Sequence, residues 1–528
     1  MTEIFTPEEV AVLSPYVTNV DRPIFALKNL PEEVVAVLFA YYSRSRESLR
    51  RNLLKLIQER DLDLTERLRT SASPSTGSGS QVPSSDSVEP WTAAGQDDLA
   101  LARQKAKEFH EKWVVGYGHA SVAEHAVAHL AIEDVSILAS KIIEDTRLAS
   151  YTEKSTRYVV FDRDKFYREP RVMASRHARL YEATCEFLLE TYTRLTDRVL
   201  EAVKRETPRQ EKQTERGYEA ACRAKTCDIL RYVLPAATLT NIGMTVNGRL
   251  LEHLITKLLS HPLEESRQIG ALMKSEAEKI IPTLIKYADR NAYMVETHQA
   301  IEVLASEQFA GCAPEDVPDV LLVRYPEDAE DQLVAAILYG YSAHPFRQVL
   351  ERAQKLSGEE KARVIDEYLS RRGKHDQPLR ALEHLSYTFD ILVDFGAFRD
   401  IQRHRIATQT PQELGPVHGH SSPPEIERYG LLGEYEECMT RARSAFDEIA
   451  RDFPREAPYV LPLAFKKRVL FTWNLREIHH FVQLRSAKQG HISYRQIAQQ
   501  VFHEVERIHP LLAKYIRVDL ESYALGRM

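Results

Sequence analysis

Cysteine is scarce and scattered. Cys185, Cys222, Cys227, Cys312 and Cys438 are the whole complement, an odd number with no CxxC. That spacing predicts neither a disulfide framework nor a zinc knot, and it fits a reducing cytoplasm. No run of about 18 apolar residues occurs, which excludes a spanning helix and predicts no membrane partner. The opening MTEIFTPEEV lacks the basic region and apolar run of a signal peptide. Neither a Walker nor a Rossmann fingerprint is present; Gly77 and Gly79 precede no helical pattern. An excess of positive charge is also missing. The net charge is −7, from 70 basic and 77 acidic residues, which argues against a protein that coats nucleic acid while leaving room for local basic pockets. His125 and His129 would share one face of a strand, but no third ligand accompanies them, so no metal site is expected.

What the chain does have is length and apolar content. Its 528 residues suggest two to four domains, and 43% hydrophobic with 28% charged residues suit ordered cores. From Thr70 to Gln96 Ser, Gly, Pro and Thr dominate, a composition that predicts a mobile surface insertion.

The organising feature is an internal repeat. PIFALKNLPEEVVAVLFAYYS, from Pro23, matches VLLVRYPEDAEDQLVAAILYGYS, from Val320; each predicts a short strand, then a helix with acidic residues in its first turn. AEHAVAHLAIEDVSILASKIIEDTRLAS, from Ala123, matches LEHLSYTFDILVDFGAFRDIQRHRIAT, from Leu382; each opens on Glu-His and passes from a β-rich core stretch into a helix. RYVLPAATLTNIGMTVNGRLLEHL, from Arg231, matches PYVLPLAFKKRVLFTWNLREIHHF, from Pro458. Twelve residues after the Pro of V-L-P, both reach Asn-x-Arg at the start of an amphipathic helix. The reading is two diverged copies, 1–300 and 301–528, each α+β with many helices and a small antiparallel sheet.

At these blocks the chain resembles the flavin-dependent thymidylate synthase family. That family carries Arg-His-Arg, then after seven residues Ser-x-Arg, with Glu-His upstream, Asn-x-Arg downstream and another Arg nine residues later. The second copy keeps Arg403-His404-Arg405, Glu383-His384, Asn474, Arg476 and Arg485, but has Glu413 and Gly415 for the Ser and Arg. The first copy is the reverse. Its triplet reads Asp145-Thr146-Arg147, yet Ser155, Arg157 and Tyr158 stand intact, with Glu153 before them. His119, Ser121, Glu124 and His125 match the family's HxSxxEH; Asn247 and Arg249 remain, while Leu258 replaces the late Arg. Arg231 matches a substrate-binding Arg whose counterpart is Pro458, and Asp400 stands where the family often has a base-contacting Gln.

The resemblance implies methylation of dUMP to dTMP with FAD as cofactor, and with methylenetetrahydrofolate and reduced nicotinamide (NADPH) as co-substrates, without a cysteine nucleophile. It implies cofactor binding by Arg403, His404, Arg405, Glu383, Asn474, Arg476, His119, Ser121, Glu124, Asn247 and Arg249. Substrate binding falls to Glu153, Ser155, Arg157, Arg231 and Arg485. Guanidinium forks suit the phosphate groups of both ligands. Family sites are assembled from more than one subunit, so complementary losses imply one composite site shared by the two copies. The mirror-related site, with Asp145-Thr146 and Glu413, would be dead. A homotetrameric family implies a homodimer of fused chains, a pseudo-tetramer. The rival reading is a non-catalytic flavin- or nucleotide-binding protein of the same fold.

Overall fold

The computed structural model describes residues 4–42, 47–58, 120–211 and 213–523; the 70–96 insertion and His119 lie outside them. Helix and strand are mixed, with two small antiparallel sheets, as the α+β reading expected. One sheet runs β1 (Val127–Ser136), β3 (Leu239–Asn247), β2 (Ser150–Glu153); the other runs β4 (Val320–Arg324), β5 (Ser386–Asp394), β7 (Lys466–Asn474), β6 (Ala407–Pro411). Strands β1, β3 and β2 are thus the counterparts of β5, β7 and β6, one set in each repeat.

Two local departures from exact repetition have physical causes. Strand β1 has ten residues against nine in β5. Asp134 adopts φ 53° within β1, and its N–H donates to Asn241 Oδ1 at 3.1 Å; this kink falls in the strand that carries the extra residue. The short strand expected after Pro23 does not form. Only one antiparallel bridge joins Val17 to Leu27, whereas β4 pairs with β5 over several residues. Pro23 offers no N–H to a ladder, and Asn29 at φ 56° ends the extended run.

The chain folds as two compact units whose boundaries do not follow the repeats. One comprises Met1–Leu130, Met244–His261 and Arg267–Val295; the other comprises Ala131–Gly243, Pro262–Ser266 and Glu296–Met528. The described residues of the first unit are mainly helical. Glu33 is buried there and accepts both the N–H of Thr283 at 3.1 Å and its hydroxyl at 2.6 Å. The second unit holds one hydrophobic core drawn from both repeats, including Ile137, Tyr181 and Leu234 of the first and Phe395, Leu461 and Trp473 of the second.

Inside that second unit the two V-L-P segments pair with each other reciprocally. Ala236 N–H donates to Leu461 O at 2.8 Å, and the equivalent Leu463 N–H donates to Leu234 O at 2.9 Å. Ala237 N–H reaches Tyr459 O at 2.9 Å, and Ala464 N–H reaches Tyr232 O at 3.2 Å. Residue i meets j while the equivalent of j meets the equivalent of i, the signature of a two-fold contact. It is built here within one chain.

Close to this pseudo-dyad lies a buried ion cluster. Glu153 Oε2 accepts from Lys141 Nζ at 3.0 Å, Oε1 contacts Arg399 Nη2 at 2.7 Å, and Ser140 adds a hydrogen bond at 2.9 Å. Lys141 and Arg399 occupy equivalent positions in the two repeats, so one carboxylate serves both. Burial alone would raise the Glu153 carboxyl; Arg399 and then Lys141 outweigh it and hold the group below the usual carboxylate range. Lys141 also pairs with the buried Glu144, so removing Glu153 strands chiefly the buried Arg399 guanidinium, at a cost of about 3–5 kcal/mol.

Two predictions follow from this packing. Glu153→Ala should lower stability by about 3–5 kcal/mol, read as a large drop in the thermal midpoint; an unchanged midpoint would remove the cluster from its structural role. His479 is fully buried, with Arg372 Nη1 3.3 Å from Nδ1, and burial pushes its pKa down to about 3. The folded chain therefore keeps it neutral while the unfolded chain protonates it below about 6.5. This contribution is present above pH 6.5 and is lost on acidification, by about 2 kcal/mol at pH 5. Thermal melts between pH 7.5 and 5 should fall less steeply for His479→Gln than for the wild type.

Candidate functional site

The helix Phe395–Ile401 organises the site. Asp394 caps it, Oδ1 accepting the Ala397 N–H at 2.7 Å. Its other oxygen accepts the hydroxyls of Tyr232, at 3.2 Å, and Ser493. The helix directs Arg399 to the Glu153 cluster and Asp400 toward Arg231, whose Nη1 lies 3.3 Å from Asp400 Oδ2. Arg231 is buried, and its Nε and Nη2 meet no protein acceptor. A Cβ on Gly396 would stand 3.3 Å from Arg231 Nε, so glycine there lets the guanidinium lie against the helix start. Burial by itself would raise the Asp400 carboxyl. Arg231, Arg403, Arg157 and Arg485 outweigh it and hold Asp400 well below the carboxylate range. Two of these cations come from the first repeat and two from the second.

Tyr494 joins the same groups from the other side. The Cζ atoms of Arg157 and Arg485 each lie 5.4 Å from its ring centroid. Arg157 also donates to the Tyr494 hydroxyl and forks onto Asp228, Nε to Oδ1 at 2.7 Å and Nη2 to Oδ2 at 2.9 Å. Arg485 donates from Nε to His404 Nε2 at 2.9 Å, and His404 Nδ1 lies 2.9 Å from Glu477 Oε1. Burial, then Arg485 and His480, push the His404 pKa well below its ordinary value, and burial raises Glu477 to about 7.

Arg405 and Gln402 line a cleft of about 120 Å³, shared with Glu144, Asp145, Arg147, Ala407 and Gln409. The remnant of the first triplet therefore faces the intact second one. Arg405 donates to Ala149 O and lies 5.4 Å from the Tyr151 ring centroid. Gln402 and Gln409 spend their amide N–H groups on backbone carbonyls, leaving each Oε1 buried without a protein donor.

The remaining expected site residues fall into distinct settings. Glu383 pairs with Arg476 at 2.8 Å in the second unit, and Glu124 pairs with Arg249 in the first, so the same ion pair recurs in both repeats. Asn247 and Asn474 are helix N-caps, accepting from Leu250 and Glu477 N–H at 3.0 and 2.8 Å. Their side chains are committed to the backbone. Ser121 is exposed in a short 3-10 helix of the first unit. Ser155 accepts the Arg157 N–H at 3.2 Å and so shapes the turn that carries Arg157. Glu153, expected to bind substrate, has a fully buried side chain taken up by Lys141 and Arg399. Arg403 is exposed.

Sequence reasoning missed Asp228, Tyr494, Glu477, Gln402 and Gln409. None sits at a motif position, and Asp228, Glu477 and Tyr494 find their partners across long stretches of chain. The four cysteines Cys185, Cys222, Cys227 and Cys438 are buried, and burial raises the Cys185 and Cys438 thiols, the latter to about 11. No group of three or more His, Cys, Asp or Glu able to hold a metal occurs among the described residues. Among the same residues no helix is long and apolar enough to cross a membrane.

Comparison with known proteins agrees with this duplicated arrangement. The profile of the family described as "Thymidylate synthase complementing protein" matches residues 69–283 and again 321–511. A UPF0159 protein of Chlamydia pneumoniae is 35% identical over all of this chain and 97% of its own length. A flavin-dependent thymidylate synthase of Sulfolobus acidocaldarius is 32% identical over 25% of this chain and 55% of its own. A crystal structure of the Helicobacter pylori flavin-dependent thymidylate synthase, complexed with FAD and dUMP, aligns to 38% of this chain and all of its own, at 18% identity and a TM-score of 0.30. With two family matches that together cover most of its length, this chain belongs to the thymidylate synthase complementing protein family, the flavin-dependent thymidylate synthases.

Proposed function

We propose that the chain methylates dUMP to dTMP with FAD, methylenetetrahydrofolate and NADPH, at one composite site built by both repeats. The observation that carries this reading is the convergence of Arg157 and Arg231 from one repeat with Arg403 and Arg485 from the other around Asp400. Four guanidinium groups against the carboxylates Asp400 and Asp228 leave a surplus of positive charge, which suits a phosphate monoester. Family membership supports this reaction class.

The side chains fit the flavin cofactor on two counts. Arg405 and Arg147 offer guanidinium donors on the cleft wall, as a pyrophosphate requires. Gln402 and Gln409 hold buried, unpaired acceptors on its wall, which an N–H or hydroxyl of a ligand would satisfy. When bound, FAD would supply the hydride chemistry. The chain's own part is to hold the nucleotide phosphate on Arg157 and Arg485 and to keep Arg231 charged beneath it. Cations near the base also favour negative charge developing on its carbonyl oxygens. Buried cysteines have no role in the scheme. In the assembly we propose, two chains form a homodimer that reproduces a tetramer of single repeats.

Two measurements test this reading. Purified protein should carry a flavin spectrum that bleaches with NADPH, and wild type should rescue a thymidine-requiring strain. Arg405→Ala should not rescue, and Arg403→Ala should weaken dUMP or FAD binding by about tenfold or more, the scale of a lost charged hydrogen bond. A colourless protein that ignores FAD and fails to rescue would favour the non-catalytic alternative.

A further inference from the structure

Behind Arg485 lies a chain of hydrogen bonds that no ligand needs to touch. Arg485 Nε donates to His404 Nε2 at 2.9 Å. A guanidinium stays protonated in proteins, so His404 Nε2 is the bare nitrogen. Nδ1 then carries the ring proton and donates it to Glu477 Oε1, also at 2.9 Å. The tautomer is dictated by the two partners rather than assumed. His404 and Glu477 are both buried, so water does not compete for these contacts. Holding Arg485 through Nε also spends the edge atom of the fork and keeps its terminal amino groups on the side of Tyr494 and Asp400.

We propose that Glu477 is a positioning residue for the anion site: acting through the His404 imidazole, its carboxylate sets the orientation of Arg485 and hence the affinity for the nucleotide phosphate. This deepens the functional reading above and rests on it. Carboxylate–imidazole pairs orient metal ligands in the same manner, and loss of the outer carboxylate there costs about 10–100-fold in affinity. Here the oriented group is a guanidinium. A mirror arrangement holds Arg157, whose fork rests on Asp228, so both cations flanking Tyr494 are aimed by buried or half-buried carboxylates. Glu477 is the one whose influence passes through a titratable ring.

The surroundings give the arrangement a pH dependence. Groups near the Glu477–His404 pair are Arg476 from the same helix, His480, Arg485 and Asp400. Burial raises Glu477 to about 7, with Arg476 opposing. His404 stays neutral through the same range. As pH rises from 6 to 8, Glu477 ionises and its bond from His404 Nδ1–H becomes charge-assisted and stronger. Arg485 is then held more firmly.

The test uses the full-length, FAD-loaded chain and dUMP titrations from pH 6 to 8.5. Glu477→Ala should weaken dUMP binding by about tenfold. Glu477→Gln, which can still accept from Nδ1–H, should restore most of the affinity while flattening its pH dependence relative to wild type. The phosphate's own ionisation near pH 6 is common to all three proteins and cancels in the comparison. Equal affinity and parallel pH profiles for all three would overturn the proposal. A second readout needs no ligand: nitrogen-15 histidine spectra, with the His404 signal assigned by its loss in His404→Gln. Wild type should display the Nδ1–H tautomer, and Glu477→Ala should shift it toward a mixture. An unchanged tautomer would also overturn the proposal. If wild type binds no dUMP but the tautomer responds to Glu477→Ala, the nucleotide reading fails while the positioning chain stands.

Discussion

Everything in the second unit depends on the reciprocal pairing of the two V-L-P segments. Four backbone hydrogen bonds, each with its repeat-related twin, fasten Tyr232–Ala237 to Tyr459–Ala464 in a fully buried setting. Buried backbone groups without partners are costly, so each segment needs the other. The consequence reaches the site directly. Arg231 opens one V-L-P block, and the helix Phe395–Ile401 donates two backbone hydrogen bonds to residues that follow the Pro of the other, Phe395 N–H to Phe465 O and Gly396 N–H to Leu463 O. Locking the segments together brings Arg231 against that helix and beside Asp400.

Duplication followed by divergence lets a single chain break the symmetry that identical subunits must keep. Lys141 and Arg399 are equivalent, yet both rest on one Glu153 whose own counterpart position holds no carboxylate, being Pro411. Asp400 faces Arg231, but the counterpart of Arg231 is Pro458. Each repeat thereby keeps groups that the other lacks. In a homo-oligomer a change in one copy is a change in all; fusion removes that constraint. Arg157 and Arg231 of one repeat and Arg403 and Arg485 of the other act on Asp400.

Where charge is buried here, it is either matched or neutralised. Glu153 and Asp400 remain ionised because cations outweigh their desolvation, whereas His404, His479 and His491 are driven toward the neutral form by burial. Neutral imidazole accepts as well as donates, and His404 uses both capacities to connect Glu477 with Arg485. The same burial that suppresses protonation makes the ring a rigid spacer. Arg231 and Arg399 are matched in charge by Asp400 and Glu153 but keep buried donor atoms without a protein acceptor, Nε and Nη2 of Arg231 and Nε of Arg399.

The sequence by itself determined the duplication, the α+β class and the elements carrying Arg403, Arg405, Arg157 and Arg231. Glu-His, Asn-x-Arg and V-L-P are local patterns, repeated in order, so they can be read without a fold; the same Asn residues, expected to bind cofactor, instead cap helices. It also pointed to Glu383 with Arg476 and Glu124 with Arg249, though not to the ion pairs they form. Tertiary structure alone decided the rest. That Glu153 turns inward to Arg399 as well as Lys141, and that Asp228, Tyr494 and Glu477 complete the cation cluster, depend on distances between residues far apart in the chain. Such contacts have no period and no short motif. They exist because burial in one shared core forces polar groups from both repeats to find partners, and only the packed chain specifies which partners are within reach.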